Sequence, residues 1–162
     1  MIREAKTEDV AEIVNCVHSV MKETWERYEK GYYPKDAIAF DIEHFDRKKV
    51  ENAVASDNSF LFLDENESIT GVIHGMVYGE SGFGLIHWLG VEFEHRQEGI
   101  GTQLLERVFT FCSNHEIHKI SLYTLPVLRP AINLYLKTGF VPEAYLKKQW
   151  WGVDFVFMSK WL

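Results

Sequence analysis

Apolar residues recur at helical spacing from Val10 through Ile13, Val14, Val17 and Met21, which predicts a helix running to about residue 28. Thr7 stands where an N-cap belongs, and Glu8 and Asp9 fall in the electropositive first turn. Gly31 and Pro34 close this helix, and residues 2–6 ahead of it read as a short strand. Residues 35–57 are polar and aromatic, with helix expected around Asp46–Ala55. The pattern then changes. Ser59–Asp64, Thr70–Tyr78 and Phe83–Val91 read as antiparallel strands, separated by the turn sequences Glu65-Asn66-Glu67 and Glu80-Ser81-Gly82. Phe83–Val91 is apolar enough to be a central strand.

A second clear helix starts near Gly99. It places Ile100, Leu104, Leu105, Val108, Phe111 and Cys112 on one side and ends at Asn114. Lys119–Leu125 is the next strand. Pro126 and Pro130 stop it and open a short helix at Ala131–Thr138, which Gly139 caps. Phe140–Trp150 and Val153–Lys160 form a last hairpin with its turn at Gly152. The order β-α-(α)-β-β-β-α-β-α-β-β describes an α+β protein built on a mixed sheet.

Composition narrows the possibilities. No repeat, low-complexity tract or linker divides the 162 residues, so one domain spanning residues 1–162 is expected. A chain that is 46% hydrophobic and 14% aromatic is not disordered. No apolar run approaches the roughly 20 residues of a spanning helix, and Met1–Lys6 lacks the apolar block of a signal peptide. With 17 basic and 24 acidic side chains the net charge is −7, which disfavours nucleic acid as a partner and suits cationic ones. Cys16 and Cys112 form no CxxC pair and read as two buried thiols in a reducing cytoplasm rather than a disulfide. A cytoplasmic protein with no membrane partner is therefore expected. His115-Glu-Ile-His118 is one residue short of the zinc-binding H-E-x-x-H and reads as a polar loop, so no metal site is expected.

The most informative stretch joins the central strand to the second clear helix through Arg96-Gln-Glu-Gly99-Ile-Gly101-Thr102. The first N–H groups of a helix lack internal partners and carry partial positive charge, so a glycine-rich turn there can receive phosphate. The third glycine of a dinucleotide fingerprint is replaced by Leu104, and the Lys of a P-loop is absent after Gly101. Tight strand–helix packing remains the alternative explanation of the two glycines.

Arg96-Gln-Glu-Gly99-Ile-Gly101 resembles the Arg/Gln-x-x-Gly-x-Gly/Ala acyl-CoA loop of the GNAT superfamily of N-acetyltransferases. Ala131-Ile-Asn-Leu-Tyr135-Leu-Lys-Thr-Gly139-Phe140 is similar to that family's A-x-x-L-Y-x-x-x-G-F signature. The order of elements matches along nearly the whole chain. Leu128 stands where many members have Asn, and Phe93 where Pro is usual. The resemblance implies a mostly antiparallel twisted sheet of about seven strands with about four helices, splayed between the fourth and fifth strands. It implies acetyl-CoA as cosubstrate, held by Leu89, Gly90 and Val91 through the strand backbone and by Arg96, Gln97, Glu98, Gly99, Ile100, Gly101 and Thr102 around the pyrophosphate.

The implied reaction is direct transfer of acetyl from acetyl-CoA to a primary amine. Tyr135 holds the family position of the general acid. His87 is the candidate base, with Glu80, Glu92, His74 or water as substitutes. Trp25, Tyr28, Tyr32 and Tyr33 fall where the family walls the acceptor site, and Trp150 and Trp151 suit the same wall or a homodimer contact. A small-molecule amine is the expected acceptor. A protein N-terminus or lysine is the alternative within the same chemistry, and a non-catalytic acyl-CoA sensor is the alternative outside it.

Overall fold

A computed structural model describes all 162 residues. Its strands are β1 (Ile2–Glu4), β2 (Ser59–Glu65), β3 (Ile69–Tyr78), β4 (Phe83–Val91), β5 (Lys119–Thr124), β6 (Val141–Trp150) and β7 (Val153–Trp161). They form one seven-stranded sheet in the order β1-β2-β3-β4-β5-β7-β6. Every pairing is antiparallel except β4 with β5. Five α-helices cover it: α1 (Val10–Thr24), α2 (Lys35–His44), α3 (Arg47–Ala55), α4 (Ile100–Asn114) and α5 (Arg129–Lys137).

Alternation along the strands divides the core between the two faces. Phe60 and Phe62 of β2 point toward α4 and pack with Leu104, Leu105 and Val108. Leu61 and Leu63 point the other way and pack with Ile13 and Val17 of α1 and Val50 of α3. Buried apolar area stabilises by about 25 cal/mol per Å², so a sheet covered on both faces is the dominant source of stability here. Cys16 and Cys112 are both buried free thiols, one in each core.

Helix α2 is the element that periodicity did not announce. Only Ala37 and Ile38 are buried along it, too few for an amphipathic stripe. Pro34, expected to end one helix, instead opens this one. A small cluster holds it in place, joining Tyr33, Ala37 and Ile38 to Leu125 beyond β5. Thr7 does not cap α1. It begins a 3₁₀ turn, Thr7–Asp9, whose start is closed by the Asp9 carboxylate accepting a hydrogen bond from the Lys6 N–H at 2.7 Å; no side chain caps α1 itself.

Helix α1 continues past Thr24 into a π-helical turn, Trp25–Glu29, closed by the Lys30 N–H donating to the Trp25 carbonyl. Single π turns add a residue to the helical circuit and often occur at functional sites. A second irregularity lies in the sheet. His74 pairs with Trp88 and Gly75 with Ile86, which leaves His87 as the extra residue of a β-bulge in β4.

Candidate active site

The only parallel pairing in the sheet stops early. β4 and β5 pair from Phe83/Lys119 to Ile86/Leu122 and then part. Beyond that point β4 still pairs with β3, and β5 still pairs with β7. The edges of His87–Val91 and of Tyr123–Thr124 that face each other have no strand partner. A cavity of about 240 Å³ lies at the parting. β4 and β5 form its floor, the end of α1 and the π turn one wall, α2 a second, and the start of α5 a third.

The glycine turn lies beside this gap. φ is −73° at Arg96, +67° at Gln97 and +83° at Gly99, an alternation of hands of the kind that forms anion-binding backbone nests. The six N–H groups of Gln97–Thr102 make no hydrogen bond within the protein. The two glycines serve different ends. Nothing crowds a Cβ built on Gly99, where the left-handed conformation is the requirement. A Cβ on Gly101 would lie 2.9 Å from Leu134 Cδ2, so Gly101 is needed for packing against α5. Arg96 closes the foot of the site. Its Nε donates to the Val91 carbonyl at 3.0 Å, and its guanidinium lies 3.5 Å over the Phe93 ring.

Of the residues singled out by sequence, His87, Leu89, Gly90, Arg96, Tyr135, Tyr28 and Tyr33 line the cavity. Tyr135 is 7% exposed. Burial pushes its hydroxyl above the ordinary tyrosine pKa, so it is held protonated. The His87 ring is accessible in the cleft, 5.2 Å from the ring of His74. The crowding of the site, and then the Lys49 ammonium, lower its pKa below the usual value. His74 is buried behind it with Nδ1 unpartnered, and burial lowers its pKa to about 3.

Trp25, Tyr32 and Trp150 lie outside the lining. The Trp25 indole N–H donates to the Tyr33 carbonyl at 2.8 Å. The Tyr32 hydroxyl donates to the Asp154 carbonyl and accepts from the Asp154 N–H, each at 3.0 Å, which ties the end of the π turn to β7. Trp150 packs edge-on against Tyr123 and Phe155 at the end of β6. Glu80 and Glu92, named as substitute bases, are not among the lining residues either.

Two carboxylates that sequence reasoning did not single out do line the cavity, Glu29 and Asp41. Glu29 is 7% exposed, and no side-chain partner binds its carboxylate. Burial, reinforced by the Asp41 charge, pushes its pKa up to about 7. Asp41 accepts the Tyr33 hydroxyl at 2.8 Å, and burial raises its pKa as well.

The sequence profile of the acetyltransferase (GNAT) family matches residues 17–140. The chain belongs to that family. Its fold is that of the PaiA N-acetyltransferase of Thermoplasma acidophilum, solved in complex with coenzyme A, with a TM-score of 0.83 at 20% identity over 100% of this chain and 98% of the other. The ribosomal-protein-alanine N-acetyltransferase of Brucella melitensis superposes with a TM-score of 0.76 at 20% identity, covering 100% of this chain and 99% of that one. N-alpha-acetyltransferase 60 of Drosophila melanogaster is 33% identical over 79 residues, which are 47% of this chain and 29% of the fly protein. This GNAT chain therefore spans less than a third of the length of that relative. No helix in it is long and apolar enough to cross a membrane.

Proposed function

We propose that this GNAT protein transfers the acetyl group of acetyl-CoA to the primary amine of a small molecule. The observation that carries the reading is the cavity at the parting of β4 and β5, lined by Tyr135 and by two acidic residues, Glu29 and Asp41. The residues present fit the cosubstrate. Six unpartnered N–H groups at Gln97–Thr102 suit a pyrophosphate. The free edge of β4 over Leu89–Val91 suits the amide-rich pantetheine arm, which adds to a sheet edge as a peptide strand does. Bound there, acetyl-CoA supplies an acetyl group already activated as a thioester.

The protein's own groups handle the protons. In this reading Tyr135 returns a proton to the departing thiolate, a role that its burial and protonated state support. A backbone N–H near Leu89 or Gly90 would stabilise negative charge developing on the acetyl oxygen. His87 and Glu29 both line the cavity within which an incoming ammonium must lose its proton. A cavity of about 240 Å³ suits a compact acceptor, and two carboxylates suit a cationic one.

A thiol-release screen with acetyl-CoA against small amines and N-terminal peptides tests the proposal. Turnover confined to small amines is expected. Turnover confined to peptides would move the acceptor to protein N-termini, the reading that the fly relative's name favours. Tight CoA binding with no acceptor turned over would leave a sensor domain.

A further inference from the structure

Glu29 lies in the one segment where α1 departs from α-helical winding. An α-helical period carries the inward face from Val20 through Thr24 to Tyr28. The wider π turn brings the next residue, Glu29, onto the cavity wall as well. Its backbone carbonyl accepts from the Tyr32 and Tyr33 N–H groups at 2.8 and 2.7 Å, which fixes the turn. The result is a residue that is more than nine-tenths buried and whose carboxylate, with no hydrogen-bond partner in the protein, opens into the site. Burying such a group unpaired is costly. A cationic ligand removes that cost.

We infer that Glu29 is the group that binds the acceptor's ammonium and takes its proton, with Asp41 and Tyr33 as positioning residues, and that the acceptor class is a primary alkylamine. This rests on the acetyl-transfer reading. Two protons leave the nitrogen. One ammonium N–H bond breaks as an O–H bond forms on the Glu29 carboxylate, and the nitrogen keeps the electron pair with which it attacks. After C–N bond formation a second N–H proton is lost and replaces the one that Tyr135 gives to the thiolate as the C–S bond breaks. The Glu29 proton then passes to water as the site empties.

Titratable neighbours support this choice over His87. Around the cavity stand Asp41 on α2, Tyr33 after the π turn, His87 on β4, Arg96 at its foot, Tyr28 in the π turn, Tyr123 on β5 and Tyr135 on α5. Burial, and then the Asp41 charge, makes Glu29 hold a proton more tightly, whereas burial, and then Lys49, makes His87 hold one less tightly. An alkylammonium has a pKa near 10.4, so the stronger base of the two is the better acceptor. A base that titrates near neutral pH is half ionised and ready there. Tyr33 holds Asp41 through the 2.8 Å hydrogen bond and so keeps its charge beside Glu29.

The test has two arms. In the first, protein carrying ¹³Cδ-glutamate is titrated by NMR without CoA. One glutamate titrating near pH 7, lost in Glu29→Gln and shifted by butylamine, is expected. Glutamates that all titrate in the ordinary range and ignore butylamine would overturn the inference, whether or not turnover is ever found. In the second arm, Glu29→Gln should lower kcat/KM for butylamine by 10²–10⁴-fold and remove the acidic limb of its pH profile. CoA affinity by calorimetry should be unchanged. A weakly basic arylamine, neutral at pH 7, should lose far less. Equal losses on both amines, or a retained acidic limb, would overturn the role of Glu29. Failure of the parent protein to turn over any amine would overturn the acetyl-transfer reading and leave the first arm to judge the ammonium site.

Discussion

Gly101 and Leu134 are in register across the α4–α5 contact, with Leu134 Cδ2 only 2.9 Å from where a Cβ on the glycine would stand. The glycine of the CoA-loop signature is thus also a packing residue, while Gly99 two positions earlier is conformational. The two should separate experimentally. Gly101→Val should destabilise by about 1–3 kcal/mol through overpacking, read as a lowered urea midpoint. Gly99→Asp should abolish CoA binding in calorimetry, because it would put charge at the proposed phosphate site. Its stability cost should be about 1–2 kcal/mol for a left-handed non-glycine residue. Unchanged CoA affinity in folded Gly99→Asp would remove this loop from the binding site.

Tyr135→Phe keeps the ring that packs edge-on against Phe140 and deletes only the oxygen. It should bind CoA normally and lose about 1.5–4 kcal/mol of transition-state stabilisation, seen in kcat more than in KM. Parent-like turnover with chemistry limiting would make Tyr135 a packing residue and solvent the proton source.

His74 makes stability depend on pH. Burial, then the neighbouring His87 and Lys49, hold its pKa at about 3 in the folded chain, against about 6.5 unfolded. Between those values only the unfolded chain binds the proton, so stability falls as pH falls from about 6.5 toward 3. By pH 5 the loss is about 2 kcal/mol. His74→Leu fills the same space and removes the unpartnered Nδ1. Its urea midpoint should change less between pH 7.5 and pH 5 than the parent's. An identical pH dependence would show that other groups carry the effect.

Asp9 acts in the same direction but at lower pH. Hydrogen bonds from Arg3 at 2.7 and 2.8 Å hold its carboxyl below the ordinary value. Its stabilising contribution is therefore complete above the unfolded pKa of about 3.9 and is lost as pH falls through the lower folded value. Asp9→Asn should cost about 1–3 kcal/mol at pH 7, and the difference from the parent should shrink in urea unfolding at pH 2.5.

The strands were legible because a short apolar run bounded by turn residues is a local signal. Phe60, Leu61, Phe62 and Leu63 are all apolar, which announces a strand buried on both faces before any partner is known. The glycine turn and Tyr135 were legible because their residue types and spacing are specific. Helix α2 was not, since its place depends on contacts with Leu125 far along the chain. Glu29 was not legible either. On a helix that alternates Glu and Lys or Arg from Lys22 to Lys30, one more glutamate reads as solvated, and only a π turn turns it inward. Trp25, Tyr32 and Trp150 show the converse. Hydrogen bonds turn Trp25 and Tyr32 away from the wall that their sequence neighbours Tyr28 and Tyr33 form, and Trp150 packs at a strand end.

The early end of the β4–β5 pairing has a mechanical meaning. Four residue pairs, Phe83/Lys119 to Ile86/Leu122, are the only strand pairing between the half-sheet β1–β4 and the half-sheet β5–β7, extended at one end by the Gly82 carbonyl, which accepts from the His118 and Lys119 N–H groups. Any ligand whose amides span the gap above them becomes an extra rung, so it fastens the two halves as well as being held by them. Saturation with CoA at about 100 times its dissociation constant would then raise the unfolding free energy by about 2.7 kcal/mol. The gain would be felt first as slower hydrogen exchange of the amides on the two facing edges, His87–Val91 and Tyr123–Thr124.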